Sequence, residues 1–517
     1  MDQKDQDFLA EIRALLDEEG ENPQAPTEPV PEGPEPSEAP ETPDPAPRPE
    51  SKAQPEPKAS ARPRRPARKQ PERKKKERPA PAPQPEGGEK APRTRRPRKK
   101  PSGPRSFPWA LLFLTVLVAA GLVYAALQYR ADLGTSAETT LPTETEPTLT
   151  ETVPPEDRQT VTIAAAGDVN ISDELLASAR QADGTYDFSR AFLNVAPVLS
   201  RADIAVANLE VNFCGEPYGS ATHSAPYALA EALAGAGIDM VQAANSYSIS
   251  NGIDGLAATL TAVRQAGMEP VGAYADESAY QKSQGITLCE VNGFKIAFVA
   301  FTKGMDNLSL PEGHGHCVNL LYTDYDSTYS DIDTEGINAV LSAAAAQKPD
   351  ITVALVHWGS EYARNESRSQ ESIRSLLLSG GVDVILGTHS HKLGTLDVTT
   401  EKKTTTVTAY GLGDLYGDDS HAGTQTSIIL ELEFTMDNLS GRAKLTDVSY
   451  TPIYIAAPGE SSTGSYEILD IDTALRMKDV NYSGAVSDAT AETLASALEN
   501  IPDYLGDSLR LWQEAQK

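Results

Sequence analysis

"VDVILGTHSH", residues 382–391, sets how the rest of the chain is read. Val382, Val384, Ile385 and Leu386 make a short apolar run, and the polar groups Thr388, His389 and His391 come only at its end. Such a run, rich in β-branched residues and closed by polar side chains, predicts a strand buried on both faces. The same pattern recurs in "VTIAAAGDV", "ADIAVANLEV", "GIDMVQAAN", "MEPVGA", "FKIAFVAFT", "DITVALVHWG" and "TTTVTAYGLGD". Helix-like stretches lie between many of these: "APYALAEALAGAG", "GLAATLTAVRQAG", "TEGINAVLSAAAAQ" and "ESIRSLLLSGG". Alternating strands and helices predict an α/β domain with covered sheets. Ligands in such folds bind beyond the carboxyl ends of the strands.

The strand ends carry the chemistry-bearing residues. "GDVN" offers Asp168 and Asn170, "NLEV" offers Asn208 and Glu210, and "AANSY" offers Asn245, Ser246 and Tyr247. "HWGSEY" offers His357 and Glu361, "GTHSH" offers His389 and His391, and "GLGD" offers Asp414. Carboxylates and three imidazoles on one rim suit one or two divalent ions of borderline character, namely manganese, zinc or iron. Two such ions about 4 Å apart hold a phosphate ester and generate a hydroxide nucleophile. Asn170, Asn208 and Glu361 are candidate substrate-binding residues around the ligands. His223, His314, His316 and His421 lie in loop-like sequence and are read as solvent residues.

The remainder of the 517 residues is organised around this domain. Residues 1–20 place Phe8, Leu9, Ile12, Leu15 and Leu16 on one helical face, an amphipathic segment suited to a cytoplasmic partner. Residues 21–105 are dominated by Pro and charge and are expected to be disordered. Residues 107–129 contain no charged side chain, enough to cross a hydrocarbon core of about 30 Å as a single transmembrane helix. The basic side stays cytoplasmic by the positive-inside rule, which puts everything after it outside the cell. That order favours a membrane surface over nucleic acid as the target of the basic tail. Residues 130–159 read as a Thr/Glu/Pro stalk, 160–458 as the α/β domain and 459–517 as an extension with one or two helices. The net charge of −29 averages a basic tail and an acidic outer part. Cys214, Cys289 and Cys317 give no closed disulfide framework and are expected to be small buried residues.

In order and spacing, "AAAGDV", "ADIAVANLE", "AAN…NGIDGLAATL", "VHWGSEY", "GTHSH" and "YGLGD" resemble the bacterial capsule synthesis protein CapA family, also called the poly-γ-glutamate capsule family, over roughly residues 160–430. That family is related to calcineurin-like metallophosphoesterases. The resemblance implies a two-sheet sandwich flanked by helices, anchored to the membrane with the domain outside. It implies Asp168 as a ligand of one ion, Glu210 as a bridging acid, and His357, His389 and His391 completing the shell.

The sequence departs from the family pattern A-N-N-H-x-x-D-x-G in one loop. Ser246 stands for the Asn expected to ligate a second ion, Tyr247 for the His expected to assist catalysis, and Ser250 for the Asp that would orient it. A serine hydroxyl is a poor ligand, and a phenol is not poised for proton transfer at neutral pH. Asn245 and Tyr247 remain the candidate catalytic residues of this loop, and Asp414, where the family has Asn, and Asn245 are the candidate replacements for the lost ligand. The expectation is a membrane-anchored extracellular protein acting in synthesis, export or anchoring of an anionic surface polymer, with a degenerate catalytic loop. The alternatives are an active metal-dependent phosphoesterase-like hydrolase and a non-enzymatic envelope adaptor.

Overall fold

The computed structural model describes residues 159–517 except 438, 439 and 483. The amphipathic segment 1–20, the tail 21–105, the apolar run 107–129 and the stalk to residue 158 lie outside those residues. Among the described residues no helix is long and apolar enough to cross a membrane.

In chain order the strands are β1 (Thr160–Val169), β2 (Ile204–Leu209), β3 (Met240–Gln242), β4 (Glu269–Val271), β5 (Ile286–Val291), β6 (Phe294–Thr302) and β7 (Ile351–His357). They continue as β8 (Val384–Thr388), β9 (Leu396–Glu401), β10 (Thr404–Ala409), β11 (Asp414–Tyr416), β12 (Thr426–Asp437), β13 (Arg442–Ala456) and β14 (Glu467–Asp470). One sheet has the order β14-β13-β12-β1-β2-β3-β4 with β11 beside β1, and the other β5-β6-β7-β8-β10-β9. β1 to β4 run parallel, as do β6, β7, β8 and β10. β11 also lies parallel to β1, and β5, β9, β12, β13 and β14 are antiparallel additions.

Period-two burial explains the layers. In β1, Ile163 joins the core between the sheets while Ala164 faces the outer helices. In β6 and β7, Phe298 and Val353 point inward, and Ala297 and Ala354 pack under the helices Thr334–Ala346 and Arg368–Ser379. The arrangement is helix, sheet, sheet, helix, and each fully buried branched side chain contributes about 1.5–3 kcal/mol. Small residues occupy much of the outer faces, which lets the helices approach closely.

An aspartate stands before each of four parallel strands and accepts a backbone N–H from the adjacent one. Asp203 accepts from Thr162, Asp239 from Ala205 and Asp350 from Lys295, each at 2.8 Å, and Asp383 from Thr352 at 2.9 Å. These carboxylates tie the amino-terminal ends of the strands, opposite the functional residues.

Two expectations need correction. The segment after Pro458 is not a separate extension: β14 pairs with β13 in the main sheet, and the helices Ile471–Asp479, Asp488–Leu505 and Ser508–Gln516 follow. Leu494, Ile501 and Trp512 from those helices enter the inter-sheet core. Cys317 is buried, but Cys289 is only partly buried and Cys214 is exposed, and all three are free thiols. Cys214 lies in a loop beyond β2, where no apolar layer covers it.

Candidate metal centre

Two close approaches of backbone bring the ligands together. Gly167 sits where β1 meets the turn before β11, and a Cβ there would lie 1.8 Å from the carbonyl oxygen of Gly413. Without that Cβ, the Asp168 N–H donates to Gly413 O at 3.0 Å, and Asp168 and Asp414 become register partners. On the other side, His357 ends β7 opposite Thr388 at the end of β8. The chain then turns so that His389 (φ 88°) and His391 (φ 54°) both adopt left-handed backbone. Such conformations cost about 1–3 kcal/mol each and persist where the surroundings impose them.

The result is a buried cluster of three carboxylates and three imidazoles: Asp168, Glu210, Asp414, His357, His389 and His391. Glu210 is its centre. Its Oε1 lies 3.1 Å from Nε2 of His357, and its Oε2 lies 3.8 Å from Nε2 of His391. His391 Nδ1 is 2.9 Å from Asp414 Oδ1 and 3.5 Å from Asp168 Oδ2. Ligand atoms of Glu210, His357 and His389 lie within 4.8 Å of one another, as do those of Asp168, Glu210 and His391. Glu210 is common to both groups.

Charge tests whether a cation fits. Burial pushes the Asp168 carboxyl up, with His391 opposing, and burial followed by the charge of Asp168 pushes Glu210 well up. Burial raises Asp414 to about 7 against the pull of His391. For His391, burial acts downward, but Asp414, Glu210, the hydrogen bond to Asp414 and Asp168 overcome it and hold the imidazolium to about 11. Burial, and then the charges of neighbouring imidazoles and Lys303, keep His357 neutral; burial and then Lys303 and His391 bring His389 to about 3. Acids pushed up by burial bind protons in place of a cation, and a divalent ion would displace those protons and restore the carboxylates as ligands. Two neutral imidazoles supply lone pairs. That donor set fits a divalent ion of borderline character.

Supporting residues fix the ligands. The amide of Asn208 donates to Asp168 Oδ1 at 2.7 Å and to Glu210 Oε1 at 3.2 Å. Thr388 Oγ1 lies 3.0 Å from His357 Nδ1, and the His389 N–H donates to Asp168 Oδ2 at 3.1 Å. Asn208 is therefore a positioning residue beneath the acids and not a substrate contact at the opening. Asn170 donates to Asp414 Oδ1 at 3.3 Å and borders the opening. Glu361 is exposed at the rim.

The variant loop is held firmly. Asn245 donates to Leu209 O at 2.6 Å and to Asn208 Oδ1 at 3.3 Å, and accepts from the Tyr247 N–H at 3.0 Å. Its side chain is engaged in this scaffold. Ser246 does enter the cluster: its Oγ lies 3.0 Å from His357 Nε2 and 3.5 Å from His389 Nδ1. Tyr247 stacks on His223 with ring centres 3.7 Å apart. Burial, then Glu210 and Glu361, push its phenol above the ordinary value, so it does not serve as a neutral-pH acid–base group. Asp414 reaches the cluster through His391.

Sequence reasoning missed His223, His421, Tyr362 and Lys303. Tyr362 stacks on His421 with centres 4.1 Å apart, and both border the opening with His223 and Tyr247. Nothing in the loop sequence marks the two histidines. Lys303 follows β6 directly, so the strand-end rule that found the other residues applies to it too. His314 and His316 stay apart from the cluster, stacked on each other with centres 6.1 Å apart.

Residues 162–419 match the family described as bacterial capsule synthesis protein PGA_cap. The chain is similar to the capsule biosynthesis protein CapA of Bacillus anthracis, 23% identical over 295 residues, 54% of this chain and 66% of that protein. It is similar to the PGA biosynthesis protein CapA of Bacillus subtilis, 26% identical over 254 residues, 48% of this chain and 60% of that one. The match thus spans less than two thirds of either relative. Among solved structures, a calcineurin-like phosphoesterase of Bacillus subtilis aligns at 14% identity and TM-score 0.36, covering 65% of this chain and 99% of its own.

Proposed function

We propose, on the premise that this chain belongs to the bacterial capsule synthesis protein family, that it is a membrane-anchored accessory protein for an anionic surface polymer of the poly-γ-glutamate kind, acting outside the cell in its synthesis, export or anchoring. Support for the topology is the uncharged run 107–129 behind a basic tail. Support for the polymer is the function named for the similar CapA proteins of two Bacillus species. The observation that carries a metal-dependent role is Glu210, shared by two ligand groups. Asp168, Glu210 and His391 would hold one ion, and Glu210, His357 and His389 a second, with manganese, zinc or iron as the fitting elements. A bound ion would supply Lewis acidity toward anionic oxygen. The acidic domain repels a polyanion at long range, so local positive charge at the site is what admits one.

Co-isolation tests this reading. Full-length protein drawn from its membrane should bring acidic polymer or its synthase with it, and release the polymer on chelation. Recovery free of both would contradict it.

The presence of two three-residue ligand groups sharing Glu210 favours a second reading, a working hydrolase of phosphate esters or amide-linked polymer. It requires turnover that disappears with chelator and in His389→Ala, and turnover that survives both would exclude it. An adaptor role would instead rest on residues 1–20 and a cytoplasmic partner, and deleting them would mislocalise that partner with metal content unchanged.

A further inference from the structure

The stacked pair Tyr247 and His223 stands between two cavities, and both residues line each of them. One cavity, of about 230 Å³, opens on His391 and Asp414. The other, of about 330 Å³, opens on Ser246 and His389. Their charges differ. Among the lining residues, no lysine or arginine borders the first, which carries Glu210, Asp414 and Asp418, while Lys303 supplies one cation to the second, where Asp306 and Glu361 also stand.

Lys303 is held in place. Its Nζ donates to Gly359 O at 2.9 Å, lies 3.4 Å from His389 Nε2 and sits 4.7 Å from the centre of the Tyr329 ring. An ammonium carries three N–H donors. Gly359 takes one and His389 at most a second, which leaves a donor for the cavity beside the ligand group Glu210, His357 and His389. A fixed, half-buried ammonium next to a metal-capable group is suited to anionic oxygen, because a charged donor in a partly desolvated cavity binds it about twice as strongly as a neutral one. The anchoring partners remove the entropy cost that a free surface lysine carries on binding.

We infer that Lys303 is the anion-recognition residue of this site, holding a carboxylate or phosphate group of the substrate in the cavity beside His389 and Ser246. The inference deepens the proposed function, since a poly-γ-glutamate chain presents one carboxylate per residue. On this basis Tyr247 is a wall residue that directs the anion to the Lys303 side.

The test is calorimetric binding to the metal-loaded full-length protein in detergent, with inorganic phosphate and with a γ-linked glutamate oligomer as separate probes. Wild type, Lys303→Met and Lys303→Arg are compared, with metal content and melting temperature measured for each. Lys303→Met should weaken the bound anion about tenfold or more, with metal content unchanged, and Lys303→Arg should keep most of the affinity. If Lys303→Met melts early, Lys303→Gln takes its place, because it removes the charge and keeps a polar end. Wild type and the uncharged variant binding both probes within twofold of each other would overturn the inference, as would wild type binding neither. Loss of phosphate binding on substitution, with no oligomer binding by wild type, would uphold Lys303 and count against the polymer. Oligomer binding that ignores the substitution would do the reverse.

Discussion

Nδ1 of His391 lies 2.9 Å from Oδ1 of Asp414, while Nε2 of the same ring lies 3.8 Å from Glu210. A carboxylate on one ring nitrogen orients the other toward the centre of the cluster. The carboxylates also hold the imidazolium to about 11, against an ordinary value of 6.5.

A metal ligand has to be neutral, so ion uptake at this group displaces the His391 proton. Metal affinity is therefore expected to rise with pH between about 7 and 9, with proton release visible by calorimetry in buffers of different ionisation enthalpy. Asp414→Asn removes the nearest carboxylate and should lower the imidazole titration in the metal-free protein, followed by NMR. An unmoved titration would show that Asp414 does not control the ring.

Gly167 is predicted to be intolerant of any side chain. Its Cβ would collide with the Gly413 carbonyl at 1.8 Å, a backbone atom that cannot swing aside. Gly167→Ala should cost about 3 kcal/mol or more, through overpacking, and part β1 from β11. Urea unfolding measures it, and a change below about 1 kcal/mol would contradict the approach described.

Ser246 Oγ lies 3.0 Å from His357 Nε2, at the position where the resembled family pattern has Asn. Ser246→Asn is expected to strengthen ion retention at the Glu210, His357 and His389 group. Adding Tyr247→His and Ser250→Asp is expected to bring or raise phosphoesterase turnover, read with a chromogenic phosphate ester. Unchanged retention and turnover in the triple variant would show that this loop does not limit the site.

Asp383 offers a pH test remote from the ligands. Burial raises its carboxyl to about 6, above the ordinary 3.8, against the hydrogen bond from Thr352. A raised acid binds its proton more tightly when folded, so its ionisation disfavours the fold. That penalty is absent below about pH 4, grows from 4 to 6 and is full above. The melting temperature of Asp383→Asn relative to wild type should therefore improve from pH 4 to pH 8. A difference constant with pH would contradict the assignment.

The apolar runs that end in polar groups were legible because parallel strands buried on both faces leave few other readings. β12 was not among them, although Ile428, Leu430, Leu432 and Phe434 alternate toward the core while Glu431 and Glu433 do not. A reading that follows strand-end chemistry passes over an antiparallel strand that carries none. Asp168, Glu210 and the three histidines were visible for the converse reason. Asn208 and Asn245 were visible as polar residues, but their roles depend on long-range partners, the acids in one case and the Leu209 carbonyl in the other. His223 and His421 reach the opening only by stacking on tyrosines from distant loops, which local sequence does not encode.

Metal content tests the central claim most directly. Full-length protein is loaded with manganese or zinc, desalted and assayed by elemental mass spectrometry, alongside Glu210→Ala, His391→Ala and His389→Ala. Because Glu210 belongs to both ligand groups, the wild type is expected to retain one or two ions and Glu210→Ala none. Each histidine variant should lose only the ion of its own group. Wild type that retains no ion, or Glu210→Ala that retains as many as wild type, would contradict a metal centre built on Glu210.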